Sequence, residues 1–157
     1  MTNTYTAFIT GILTGIIEER KELFNPAYLY GSSKHIFQTC SNLAEKNRKS
    51  AKKVVWITAE DYYRSLISFL KKRPLSIELF RRQYCPCDLF ILEHAEKLSS
   101  MQSTQDELYI LLDRLLETGT QIVIGASCPP KSIQLLEDRL QTLFEAGIIA
   151  CAENSVN

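Results

Sequence analysis

The sequence predicts an α/β protein, a three-layer αβα sandwich built on a five-stranded parallel sheet. Five short apolar runs, Ala27–Tyr30, Val54–Thr58, Leu89–Leu92, Ile122–Ala126 and Ile148–Ala150, are continuous rather than alternating. That is the pattern of strands covered on both faces. The segments between them carry helical periodicity, and strand alternating with helix implies parallel strands joined by right-handed crossovers. At 157 residues and 45% hydrophobic content, the chain is read as a single domain over 1–157 with a sizeable core.

Taken in order, Ala27–Tyr30 runs into Gly31 and then toward a helix, a strand-to-helix turn. After Val54–Thr58, helices are expected over 60–72 and 75–84, separated by Lys71-Lys72-Arg73-Pro74. Leu108, Leu111, Leu112, Leu115 and Leu116 follow the i, i+3, i+4, i+7, i+8 rule and form one buried helical stripe. Ser103 with Asp106, or Thr104 with Glu107, predicts a capping-box start for that helix, and Gly119 its stop. A last helix is expected from about Ser132, behind Pro129-Pro130, with Leu136, Leu140, Leu143 and Phe144 on one side and Gly147 after it.

Composition narrows the classes of function. Lys+Arg and Asp+Glu both number 18, so overall charge points to neither nucleic acid nor membrane. The five cysteines have no regular spacing, which suits reduced thiols in a cytoplasmic protein better than a disulfide framework. The apolar segment Ala7–Ile17 is too short to span a bilayer, and no basic cluster precedes it as in a secretory signal. Cys85-Pro86-Cys87 lacks the second pair that zinc wants, so it is read as a turn into a strand, and no metal is expected.

In a sheet of this kind ligands bind beyond the carboxyl ends of the strands, which directs attention to Gly31, Ser32, Ser33, Lys34 and His35. A phosphate-binding loop reads G-x-x-x-x-G-K-[ST]; its amides wrap the phosphates and its hydroxyl holds Mg²⁺. Here the spacing from Gly31 to Lys34 is three residues where the motif needs six; the second glycine is missing, and His35 replaces the hydroxyl. So short a loop points too few amides inward to encircle a phosphate. Lys34 is read as a solvated lysine at a helix start, and no nucleotide cofactor is expected. Two basic clusters stand apart from this turn: Lys46-Asn47-Arg48-Lys49 with Lys52-Lys53, and Lys71-Lys72-Arg73 with Arg81-Arg82. They are read as solvated faces, with a sequence-independent phosphate-backbone surface as the alternative.

Several stretches together resemble the AAA+ core, of P-loop NTPase type, of the bacterial replication initiator DnaA and its shorter regulatory relatives. They are "FITG" (8–11), "NPAYLYG" (25–31), "KKVVWITAEDY" (52–62), "CDLFILEHAEKL" (87–98), "TQDEL" (104–108), "TQIVIGASCPPK" (120–131) and "LEDRLQTLFEAGI" (136–148). The resemblance covers nearly the whole chain in order, and it implies what each site position should have been. Two consecutive aspartates of the Walker B strand are here Glu93 and His94. A sensor aspartate is Ser127, with Cys128 replacing the usual arginine, and the arginine-finger position before Phe144 is Leu143. A finger of that kind contributes orders of magnitude to phosphoryl transfer, so its loss alone would be crippling. Basic residues that help grip single-stranded DNA after the Walker B strand correspond to Met101 and Ser103. The chain ends at Asn157, before the family's helical lid and helix-turn-helix domain, so duplex reading is not expected.

The expectation is therefore a non-catalytic DnaA-like module that acts by protein–protein contact in the control of replication initiation. Its partner would be the initiator DnaA or another AAA+ protein, met through Leu143 and its neighbours on the last helix. The alternatives are a residual ATP/ADP switch using Lys34 and Glu93, or a nucleic-acid binder using Lys71, Lys72, Arg73, Arg81 and Arg82.

Overall fold

The computed structural model describes residues 4–19, 24–73 and 75–152. In chain order these form α1 (Thr4–Glu19), β1 (Ala27–Tyr30), α2 (Ser33–Lys49), β2 (Val54–Thr58), α3 (Ala59–Lys71), α4 (Glu78–Arg81), β3 (Leu89–Glu93), α5 (Gln102–Glu117), β4 (Gln121–Ala126), α6 (Asp138–Glu145) and β5 (Ile148–Cys151). The strands make one five-stranded sheet in the order β2-β3-β4-β1-β5, with every pairing parallel. No helix among the described residues is long and apolar enough to cross a membrane.

Alternation along each strand sorts the core into two halves. Ala27, Leu29, Leu89, Ile91 and Val123 face α1 and α2, where they meet Ile9, Leu13, Ile36, Cys40 and Leu43. Tyr28, Phe90, Leu92, Ile122 and Ile124 face the other layer and meet the buried sides of α3, α5 and α6. Both faces of the sheet are thus covered, which is why the strands read as unbroken apolar runs. The β1–β4 pairing is locked at its start by Asn25, whose amide donates to the Thr120 carbonyl at 2.7 Å and accepts from Ile122 N at 2.9 Å.

Three expectations need correction. The last helix begins at Asp138, not near Ser132: Pro130–Ser132 forms a 3-10 turn, and Leu135 then takes φ 55°, which breaks any continuous helix. Leu136 is buried as expected but precedes the helix; Glu137 caps it by accepting from Leu140 N. The capping box does not form either. A 3-10 turn over Ala95–Leu98 leads through Met101 into α5, and Ser103 and Thr104 lie inside the helix, Thr104 buried. The helix expected over 75–84 is a single turn, Glu78–Arg81; Tyr84 then turns inward onto Phe80 and Tyr62, ending the helix in an aromatic cluster. Pro74, expected between the two helices, lies outside the described residues. The apolar segment 7–17, given no element above, lies within α1, which buries Ile9 and Leu13.

Gln105 ties these irregular parts together. It is fully buried in α5, its amide donating to the Leu98 carbonyl at 2.7 Å and the Leu135 carbonyl at 3.1 Å, while its oxygen accepts from Glu137 N at 2.7 Å. The Leu135 carbonyl and the Glu137 N–H have this one side chain as partner, while the Leu98 carbonyl also accepts from Met101 N at 3.0 Å. Replacing Gln105 with leucine keeps the volume but leaves the Leu135 and Glu137 groups unpaired, so chemical denaturation should report a loss of about 3 kcal/mol. Leu108→Ala, a simple cavity in the same helix, should cost a comparable amount, about 2–5 kcal/mol, but without disturbing α6 in hydrogen exchange.

Candidate functional site

The site expected at the end of β1 is present as a place in the fold. Only Gly31 and Ser32 separate β1 from α2. Gly31 takes φ 135°, a conformation favouring glycine, and its N–H donates to the Ala126 carbonyl at 3.1 Å, extending the β1–β4 ladder by one bond. Ser32 stands at the helix cap without a side-chain capping bond, and its carbonyl already accepts from Ile36 N at 3.0 Å. With the helix starting this soon, its first turn lies directly over the ends of the strands.

What fills the crevice is apolar. A Cβ built on Gly125 of β4 would fall 2.6 Å from Ile36 Cγ2, so the isoleucine side chain occupies the space that the strand glycine leaves. The remaining cavity is about 20 Å³, lined by Gly31, Ser33, Ile36, Glu93, His94, Glu96, Gly125 and Ser127 among others. That is enough for one water molecule. Pockets that hold small-molecule ligands run to about 300–1,000 Å³.

Glu93, last residue of β3, is 5% exposed, and its Oε1 has no hydrogen-bond partner. Cys40 is fully buried in α2; burial, then the nearby Glu93 carboxylate, pushes its thiol well above its usual range. His94 follows in a left-handed turn, φ 58°, with Nδ1 3.5 Å from Glu96 Oε1. The other oxygen of Glu96 accepts from Ser127 N at 3.2 Å. Glu96 thus spans the ends of β3 and β4. On the far side of β1, Tyr28 donates its hydroxyl to the Cys128 carbonyl at 2.8 Å, and burial pushes the phenol far above its ordinary pKa.

Of the positions singled out in sequence, Gly31, Ser33, Glu93, His94 and Ser127 are brought together around this cavity. Ser32, Lys34 and His35 are not among its lining residues: Lys34 is exposed, and His35 is half-buried with Nδ1 unpartnered. Leu143 is 7% exposed and packs into the core from α6, so it offers no contact surface, contrary to expectation. The helix periodicity that put Leu140, Leu143 and Phe144 on one side already placed that side inward. Ile36, Cys40, Glu96 and Gly125 were missed. Only Gly125 carried a signal, a lone glycine inside a strand, which marks a close approach.

The second basic cluster is altered by one residue. Lys71, Lys72, Arg73 and Arg82 are exposed. Arg81 is not: its guanidinium lies 2.7 and 3.0 Å from the two oxygens of Glu107 and 3.5 Å from Glu78. The balancing acid, on α5, sits against it and takes it out of any phosphate surface. Cys85 and Cys87 are free thiols, the latter pushed by burial up to about 11, and no metal-ligand group of three or more exists among the described residues.

Comparison with known proteins places this geometry in a family. A family model described as the bacterial DnaA ATPase domain matches residues 4–151. The chain is 28% identical over 163 aligned residues to the chromosomal replication initiator DnaA of Herpetosiphon aurantiacus, covering 96% of this chain and 34% of that protein. To the DnaA of Helicobacter acinonychis it is 34% identical, covering 81% of this chain and 28% of that protein. The chain therefore spans about a third of the length of the curated relatives it matches. Among solved structures, AMPPCP-bound DnaA from Aquifex aeolicus superimposes with a TM-score of 0.86 at 24% identity, over 96% of this chain and 47% of that one. With the family model matching nearly its whole length, the chain belongs to the bacterial DnaA ATPase-domain family.

Proposed function

We propose that this chain is a DnaA-like AAA+ module that does not hydrolyse ATP and acts by protein–protein contact in the control of replication initiation. The observation that carries the reading is the Ile36–Gly125 contact at the end of a two-residue turn. Ile36 packs against β4 there, and the cavity left beside the turn is about 20 Å³, room for one water and not for a phosphate chain. Other replacements point the same way. Lys34 faces solvent, His94 pairs with Glu96, and the position corresponding to an arginine finger is a buried leucine.

A module of this kind keeps the frame by which AAA+ domains recognise one another and lacks the parts that turn over nucleotide. Its partner is the replication initiator of the same cell. A copy that offers neither a phosphate loop nor an arginine finger would end or block a side-by-side assembly of active copies. The reading needs no cofactor.

Two measurements test it separately. In thermal denaturation, neither Mg-ATP nor Mg-ADP should stabilise the protein. A ligand held at a hundred times its Kd would contribute about 2.7 kcal/mol. A saturable upward shift would replace this reading with a nucleotide switch. In equilibrium binding with the purified full-length initiator, a saturable complex whose Kd is the same with and without added nucleotide is expected. Failure to form any complex overturns the partner assignment, whatever the nucleotide result.

A further inference from the structure

Leu143 is internal and offers a partner no surface, whereas one corner of the molecule has the composition of a docking site. At the end of α3 the chain turns into α4, and the two are clamped by the Phe69 and Phe80 rings, 5.5 Å apart. This brings the residues around the turn onto one corner. Leu70 and Leu79 are about half exposed there and Leu75 fully so, although each is large and apolar. Lys71, Lys72 and Arg73 follow Leu70 directly in the chain and Arg82 follows α4; all four are exposed, and none makes an ion pair among the described residues.

The local acid is already committed. Glu78 is held by both Arg81 and Arg114, so its charge does not offset the exposed cations. The corner therefore carries uncompensated positive charge around an apolar centre. A phosphate backbone would use the charge but not the leucines, and single-stranded bases would want exposed rings to stack on. At the turn itself Phe69, Phe80 and Tyr84 are packed against one another, with Phe80 and Tyr84 buried, and the exposed ring of α3, Tyr63, lies about two helical turns before Leu70. An amphipathic protein segment with leucine-sized side chains and acidic flanks matches both features at once.

Resting on the proposed function, we infer that the α3–α4 corner is the docking surface for an acidic, apolar-faced segment of the initiator. Charge there speeds and orients the encounter, and the leucines supply the buried centre of the contact.

The test uses the full chain and the fluorescently labelled full-length initiator, with a single-stranded oligonucleotide as second probe. The variants are Lys71→Glu/Lys72→Glu/Arg73→Glu, Leu75→Ser/Leu79→Ser and, as a control on the other basic cluster, Lys46→Glu/Arg48→Glu. All the altered side chains are at least partly exposed, so melting temperatures should stay close to the parent's. Expected is a loss of about tenfold or more in initiator affinity for each of the first two variants, and parent-like affinity for the control. Parent binding that survives both corner variants overturns the surface and leaves the proposed function standing. Absence of binding by the parent chain overturns both. Loss of oligonucleotide binding with initiator binding intact also overturns the inference, making the corner a phosphate surface instead.

Discussion

The length of the turn between β1 and α2 is the constraint on which this molecule's character rests. With Gly31 and Ser32 alone between strand and helix, the first turn of α2 has one place to go, over the ends of β1 and β4. Ile36 lies one turn in and must then be accommodated above β4, which is why that strand carries a glycine opposite it. The same short turn sets α2 against the sheet, where Cys40 is fully buried near the Glu93 carboxylate. Local chain length thus sets packing, and packing sets what the crevice can hold.

Polar side chains at the strand ends and below them bridge segments that the backbone ladders leave apart. Glu96 accepts from Ser127 N and sits beside His94, joining two strand ends through one carboxylate. Gln105 does the corresponding work below, satisfying backbone groups of irregular segments that no regular hydrogen-bond ladder could reach. Glu93 Oε1, like Thr10 Oγ1, His35 Nδ1 and Tyr62 Oη, is a buried atom without a protein partner, and it lies beside a cavity of about 20 Å³. One water in that space would satisfy it.

The frame was legible in the sequence to within a residue or two. Strands buried on both faces must be apolar throughout, and all five runs became strands in a single parallel sheet. Helix boundaries were less legible, for reasons that reside in tertiary contacts. Glu137 caps α6 where two prolines suggested an earlier start, and Met101 opens α5 out of a 3-10 turn where a Ser/Thr cap looked available. The shortened phosphate loop could be read from spacing, because it is a covalent fact. That Ile36 would fill the gap could not, since an isoleucine at the third or fourth position of an amphipathic helix is ordinary. The Arg81–Glu107 pair was hidden for a related reason: the partners are 26 residues apart and meet only when α4 docks on α5.

The contact between Ile36 and Gly125 has a consequence for how this chain can change over time. Turn length and side-chain volume exclude the same space, so relieving one leaves the other in force. An insertion after Gly31 would lift α2 away from the contacts that bury Ile36, Cys40 and Leu43, whereas a smaller residue at 36 would open only a side-chain-sized hole under a turn still too tight to wrap a phosphate. Each single step costs packing before it gains space. Turn length and the residue at 36 are therefore coupled: room at these strand ends opens only when both change together.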